Sequence, residues 1–316
     1  MTLDQPQPPG QDTTPSPLAS VCICTCRRPD GLRKLLYQLT TQMDAPPFQT
    51  IVIDNDSTPS ARNIATPFVP ALDLRYIHEP SACLASLRNR LVQATPTPFL
   101  AFVDDDEEIS STWLATHHRI LTTHNAALSG GPISYIFDPR TPPGIRSCQI
   151  FSRTPLEEGQ DLPWYWAFTG NCYLRRDALP HPHTPFREHF GKTGGEDTDC
   201  FYRMNQAGHR FVAAGPGALV TEHRDYQRGR YRWVLQRAIR NGGNLADMMW
   251  SHHPPAERRR LAYDALRKAF RQAREARALS RIDSTRFVNT SIEAGMNFGR
   301  FLCVLGYRYR EYGHRS

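Results

Sequence analysis

Phe99-Leu100-Ala101-Phe102-Val103-Asp104-Asp105-Asp106-Glu107-Glu108 is the stretch that decides the fold of this chain. Five apolar residues in a row suit a strand covered on both faces. The acids that follow then stand at its carboxyl end, where open α/β sheets hold their ligands. Three adjacent aspartates repel one another unless a cation sits among them. Mg²⁺ or Mn²⁺ with oxygen ligands and a bound phosphate is the natural cation. A solvated acidic turn would read the same way, and this stretch alone leaves both readings open.

Outward from this point, strand and helix signals alternate. Residues 21–25 read as a first strand, and Pro29-Asp30-Gly31 as a turn. Leu32, Leu35, Leu36 and Leu39 then recur at helical spacing. Residues 50–53 and 72–77 read as further strands, 81–94 as a helix, 99–103 as the fourth strand and 112–124 as the next helix. This order with short connections predicts a mostly parallel, doubly wound α/β sheet. Two of its strands end in aspartates, so two acidic edges should face one crevice. Farther on, 196–206 reads as a helix, and 211–214 and 218–221 as short strands. Beyond Arg224 the pattern is helical. Residues 257–281 carry nine Lys/Arg beside an apolar stripe of Leu261, Ala262, Ala265, Leu266, Ala269, Phe270 and Ala273. In a last helix, 285–309, Ser291, Gly295, Gly299 and Cys303 recur at steps of four, which lets another surface approach closely.

Composition narrows the class. With 316 residues, 40% of them hydrophobic, the chain suffices for one large α/β domain or a domain with an appendage. Residues 1–19 are rich in Pro, Gln, Thr and Ser, with neither a basic start nor an apolar core; they read as disordered rather than as a signal peptide. No apolar run approaches the roughly 18 residues of a spanning helix, so the expectation is a soluble or peripheral protein. Cys22, Cys24 and Cys26 alternate as one face of a strand would, and buried free thiols in a reducing cytosol are expected. Residues 1–223 hold 18 Lys/Arg against 23 Asp/Glu, whereas 224–316 hold 20 against 8. A basic tail on a mildly acidic domain implies an anionic partner: membrane, phosphate or nucleic acid.

Four constellations carry the chemistry. Asp54-Asn55-Asp56-Ser57 follows the second strand. Its carboxylates could accept from a nucleobase or a ribose, although an Asx turn explains the letters equally well. Ser86-Leu87-Arg88-Asn89 places a guanidinium on a helix, suited to phosphate or to a salt bridge. The triple aspartate is the third. Gly194-Gly195-Glu196-Asp197 opens a helix. Acids there complement the helix dipole, and the glycines would leave room for a substrate.

Taken in order, Cys24-Thr25-Cys26-Arg27-Arg28-Pro29, Val52-Ile53-Asp54-Asn55-Asp56-Ser57, Leu87-Arg88-Asn89, Phe102-Val103-Asp104-Asp105-Asp106-Glu107, Thr169-Gly170-Asn171 and Gly194-Gly195-Glu196-Asp197 resemble the family 2 glycosyltransferases. The similarity covers residues 20–240 and is greatest to bacterial exopolysaccharide glucosyltransferases of the succinoglycan type. It implies a GT-A fold: a nucleotide-sugar-binding half at 20–130, an acceptor-binding half at 131–245 and a basic helical extension at 246–316. It further implies that Asp106 ligates Mg²⁺ or Mn²⁺, that Asp104 assists at the metal or ribose, and that Thr25, Asp54, Asp56, Arg88 and Asp105 bind the donor, a UDP-sugar with UDP-glucose foremost. Asp197 would be the general base, Glu196 would orient it, and inversion would follow from one in-line displacement. His223 stands where many relatives place a metal-side histidine, and is either such a ligand or a surface residue. Leu87 stands where the family often has a small residue, and Ala82-Cys83 where it often has a glycine. Gln236-Arg237-Ala238-Ile239-Arg240 lacks the tryptophan of the processive synthases, so addition of a single sugar is expected. Trp164 and Trp166, together with Asn171, are expected to bind the acceptor or the donor sugar, or else the two tryptophans form a local aromatic core.

The resemblance implies a saccharide acceptor on a lipid carrier, at the cytoplasmic face of the cell membrane. The basic helix 257–281 would then dock on an anionic membrane, or else pack on the catalytic domain with its arginines in water. Nucleic acid is not the expected partner, because unmetallated acidic strand ends would repel its phosphates. Two other classes compete: a sugar-phosphate nucleotidyltransferase, which lacks its Gly-rich triphosphate loop here, and a non-catalytic nucleotide- or carbohydrate-binding module.

Overall fold

The apolar runs form the middle of one sheet. β1 (Ala19–Thr25), β2 (Phe48–Asp54), β3 (Leu74–His78) and β4 (Phe99–Val103) lie within two residues of the expected strand ends. They pair in parallel in the order β3-β2-β1-β4. Continuous hydrophobic strands fit a sheet covered on both faces, and Val21, Ile23, Ile51, Ile53, Leu100 and Phe102 are all buried. The computed structural model describes residues 16–80, 83–191 and 193–307. The expectations for 1–15, for a helix start at Ser81 and for a helix end at Tyr309 lie outside these residues.

Four strands were not anticipated, of which β7 alternates between half-buried and exposed residues. β5 (Glu107–Ile109), β6 (Leu128–Gly130) and β7 (Ile133–Phe137) precede β8 (Asn171–Arg175). β8 runs antiparallel between β4 and β6, and β9 (Phe211–Ala213) closes the seven-stranded sheet parallel to β6. The sheet is therefore continuous across residue 130. A second sheet places β10 (Val220–Arg224) between β5 and β7.

α1 (Pro29–Thr40) buries all four spaced leucines. Pro29 sits in its first turn, where a missing N–H costs nothing, so Pro29-Asp30-Gly31 starts the helix and is no separate turn. α2 (Leu84–Ala94), α3 (Trp113–Thr123) and α4 (Glu196–Gln206) cover the sheet. The tail folds as α5 (Tyr231–Trp250), α6 (Pro255–Leu279) and α7 (Ser284–Val304). The small residues of α7 do permit close approach: a Cβ on Gly299 would lie 1.9 Å from the Ile239 carbonyl oxygen of α5. Ile145, Cys148, Phe151, Val234, Val288 and Ile292 join α5 and α7 to the segment 145–151. Five of the eight cysteines are buried. Among the described residues no helix is long and apolar enough to cross a membrane.

Candidate active site

Strand register gathers the candidate residues. Thr25 pairs with Asp54 across β1 and β2, so both parallel strands end at one edge. The antiparallel β8 begins there too, since Val103 pairs with Asn171. Asp104 therefore emerges beside Thr169 and Gly170 as well as beside Thr25.

The acidic run makes a tight turn, with the Glu107 N–H donating to the Asp104 carbonyl at 3.2 Å. Its side chains alternate: Asp105 and Glu107 point inward and are buried, while Asp104 and Asp106 keep solvent-facing carboxylates. Asp105 accepts from the Thr25 hydroxyl at 2.7 Å and from Arg28 Nη1 at 2.7 Å. Burial nevertheless wins over Arg28 and pushes its carboxyl up to about 6. Gly31 makes the inward placement possible: a Cβ there would lie 2.4 Å from the Asp105 carbonyl oxygen. Asp106 lies 3.0 Å from Arg28 Nη1 and 3.6 Å from Arg228 Nη1.

A buried ion pair links this turn to α4. Arg88 Nη1 bonds Glu196 Oε1, and Arg88 Nη2 stands 3.8 Å from Asp104. The other oxygen of Glu196 is buried without a hydrogen-bond partner. Burial raises its carboxyl to about 6, against the opposing pull of Arg88. Asp197, half-buried, accepts from the Thr169 N–H and hydroxyl at 3.3 Å each. Gly194 and Gly195 enter the helix at φ +73° and +92°, conformations open to glycine. Asn244 of α5 holds this entry by donating to the Gly194 carbonyl at 2.6 Å.

Four side chains at the site carry no role in the sequence reading: Arg28, Glu107, Glu222 and Arg228. Glu107 takes the Asp104 N–H at 3.2 Å, and burial beside Asp104 and Glu222 pushes its carboxyl well above the usual range. Glu222 accepts from Arg224 Nη2 at 2.7 Å and lies 3.6 Å from Arg228 Nη1. Arg224 is in turn enclosed by the rings of Tyr135, Phe151 and Trp233, 5.4–5.7 Å from its guanidinium carbon. The alternation Val220-x-Glu222-x-Arg224 was the available signal, since it puts both charges on one face of a strand.

Three expectations need correction. Asp54 is fully buried, with Oδ1 taking the Asp56 N–H at 3.0 Å and Oδ2 taking the Ala61 N–H and the Tyr76 hydroxyl. It is the Asx turn that shapes the loop, and no face remains for a base or ribose. Asp56, bonded to Arg27 Nε at 2.9 Å and held low by it, is the carboxylate nearer the surface. Asn171 is likewise fully buried and satisfied: it accepts from Trp113 Nε1, contacts His117 Nε2, and donates to the Pro132 and Ala218 carbonyls. It fastens β8 to α3 and cannot reach an acceptor. His223 points to the opposite face of β10 from Glu222 and bonds Glu108 at 2.8 Å, away from Asp106. Strand alternation thus removes it from the metal set. Of the aromatic pair, Trp164 packs on Tyr202 of α4 with centroids 5.1 Å apart, and Trp166 lies under Arg153.

Asp104 and Asp106 are the carboxylates with oxygens to spare, and oxygen-only donors suit a hard divalent ion. Among the described residues no three His, Cys, Asp or Glu side chains form a ready-made cage. Mg²⁺ needs none, since it is commonly held by one or two carboxylates together with substrate phosphates. The turn therefore fits such an ion.

Known proteins resemble this chain in sequence and fold. Residues 20–180 match the model of the glycosyl transferase family 2. The succinoglycan biosynthesis protein ExoM of Rhizobium meliloti (strain 1021) is 35% identical over 225 residues, 70% of this chain and 71% of that protein. S. aureus TarS 1-349 in complex with UDP superposes with a TM-score of 0.52 at 15% identity, covering 92% of this chain and 93% of the TarS 1-349 chain. The mannosyltransferase PcManGT from Pyrobaculum calidifontis, in complex with GDP-Man and Mn²⁺, gives 0.52 at 16% identity, covering 92% and 77%. These structures share the fold: a mixed α/β sheet, mostly parallel, of GT-A type. With a family model over half its length and a relative at 35% identity, the chain belongs to the family 2 glycosyltransferases.

Proposed function

We propose that this enzyme transfers one sugar, with inversion, from a UDP-sugar to a saccharide acceptor carried on a lipid, in the biosynthesis of a bacterial exopolysaccharide. One observation carries the reading: Arg88 ties the turn Asp104–Asp106 to the helix start Glu196–Asp197, so donor-side and base-side carboxylates share one cleft. ExoM's succinoglycan role and UDP bound to TarS favour the substrate classes. UDP-glucose is the first donor to try.

Asp106, with Asp104, would hold Mg²⁺ or Mn²⁺, which supplies a Lewis acid for the departing diphosphate. Arg28 and Arg228 stand beside Asp106 and add positive charge where the leaving group's negative charge grows. Thr25 orients Asp105, and Asp56 stands at the loop where the nucleoside would lie. Asp197 takes the proton of the acceptor hydroxyl as that oxygen attacks the anomeric carbon. Thr169 holds one of its oxygens, and the Arg88–Glu196 pair fixes the start of its helix. One base and one displacement leave no covalent intermediate, so the configuration inverts. Trp166 and the exposed Tyr165 offer ring faces for the acceptor sugar.

The test is nucleoside diphosphate release from a panel of UDP-, GDP-, CDP- and dTDP-sugars, with and without Mn²⁺. Slow, metal-dependent release from a UDP-sugar is expected. Asp197→Asn should keep donor affinity and lose about 10³-fold or more in transfer rate, the scale of a missing general base. Normal turnover by that variant would refute the base assignment, and release from every sugar but the UDP-linked ones would refute the donor class.

A further inference from the structure

α6 has two unlike faces. Ala262, Ala265, Ala269 and Ala276 form the buried stripe, and α7 is the helix it packs on. On the other side Arg259, Arg260, Arg267, Arg271, Arg274 and Arg277 are all exposed. Tyr263 and Phe270 stand among them with 62% and 65% of their surface in solvent. At the helical step, Tyr263, Arg267, Phe270 and Arg274 fall within about 60° of arc. The sequence stripe that included Phe270 therefore divides: its alanines face α7 and its phenylalanine faces out. Among the described residues, Arg260 has a carboxylate 3.8 Å away in Glu257, while Arg267, Arg271 and Arg274 have no ion pair. Among the described residues, seven of the thirteen large hydrophobic side chains that are exposed lie beyond residue 245, so the apolar excess is concentrated in this tail.

A face kept only for solubility mixes both signs of charge and leaves large aromatics out. On this one six exposed arginines outnumber the exposed Asp264 and Glu275, and two large rings stand among them. The rings sit on the convex surface of a helix, with Arg267, Phe270, Arg271, Arg274 and Glu275 bordering an open depression. Such a helix suits the headgroup layer of a bilayer, where arginines meet lipid phosphates and the rings enter the acyl boundary. We infer that the Arg/aromatic face of α6 is the surface by which this enzyme lies on an anionic lipid bilayer. The inference gives the lipid-carried acceptor of the proposed function its place, but the binding itself requires neither donor nor acceptor.

The experiment is sedimentation of the full chain with vesicles of pure phosphatidylcholine or of phosphatidylcholine mixed with phosphatidylglycerol, without sugar substrates. Binding to the mixed vesicles alone is expected. The variant Arg267→Glu/Arg271→Glu/Arg274→Glu should partition about 100-fold less, at about fivefold per lost arginine. Phe270→Ser should weaken binding about tenfold, as a ring leaves the acyl boundary. Donor turnover by both variants should match that of the unaltered chain, which shows that they fold. Equal sedimentation of the triple variant, or equal binding to pure phosphatidylcholine, overturns the inference. So does displacement by single-stranded RNA with Phe270→Ser binding undiminished, which would assign the face to a non-lipid polyanion. Because no sugar substrate is present, failure here leaves the transfer reaction untouched, and failure of the transfer assay leaves vesicle binding readable.

Discussion

At the end of β4, four consecutive carboxylates are each tied to a neighbour: Asp104 to Arg88, Asp105 to Thr25 and Arg28, Asp106 to Arg28 and Arg228, Glu107 to the Asp104 N–H. On α6, six arginines stand in water. Both regions are strongly charged, yet they hold charge for different ends. Burying an ion costs several kcal/mol, repaid only by close partners, so the turn trades stability for fixed positions. Exposed arginines keep their hydration and commit to no geometry, which suits a surface of many equivalent phosphates. Charge that must aim is paired on the turn, and charge that must only attract is exposed on α6 and mostly unpaired.

The comparison breaks most readily at Arg88. Removing one partner of a buried pair strands the other, at about 3–5 kcal/mol. Arg88→Met should therefore lower unfolding free energy by that amount and abolish transfer. The double variant Arg88→Met/Glu196→Gln should recover much of the stability but not the activity. Urea denaturation checks both. A loss no larger than that of an α6 arginine would mean that the pair is as soft as the surface.

A smaller effect is expected from pH. Asp105 and Glu196 both carry carboxyls raised to about 6. As pH falls through 6 each gains a proton, and Arg28 and Arg88 lose their charged partners. The rate at low substrate should therefore fall on the acid side of about pH 6. Stability runs the other way for these two groups. A carboxyl that holds its proton more tightly when folded than when unfolded weakens the fold above its folded value, and the penalty fades as pH drops. Glu196→Gln removes one of the titrating groups, so its rate profile should lose part of the acid limb. An unchanged limb would place the titrating group elsewhere.

What could be read in the letters follows from how local each signal was. β1, β2 and β4 are continuous apolar runs whose burial needs no knowledge of neighbours. β5 and β6 have three residues each, too few for a period, and their existence depends on partner strands. The chemistry divides in the same way. Asp106, Glu196 and Asp197 stand in motifs whose order along the chain is informative. Glu222 and Arg228 reach the same cleft only because β10 and the loop after it fold back over the turn, and Arg28 because β1 pairs in parallel with β4. Asp54 and Asn171 show the opposite difficulty. An acid or amide at a strand end is a candidate ligand by type, but nearby N–H groups, a tyrosine hydroxyl and a tryptophan had already claimed these two.

The smallest expected effect gives the sharpest contrast, because it compares adjacent residues. Glu222 and His223 follow one another on β10, where successive side chains leave on opposite faces. Glu222 is buried against Arg224 and faces Arg228 across the cleft. His223 is largely exposed and shares Glu108 with Lys34 on the outside. An exposed pair of this kind contributes less than about 1 kcal/mol. His223→Ala should therefore leave metal-dependent donor turnover within about twofold and stability within about 0.5 kcal/mol. Glu222→Ala should cost more on both counts, because it strands the enclosed Arg224 and frees Arg228 from one of its two carboxylates. Titration of turnover against Mn²⁺ separates the two variants. If loss of His223 shifted the metal requirement and loss of Glu222 did not, the strand would have to present its other face to the donor, and the division between aimed and merely attractive charge would be drawn in the wrong place.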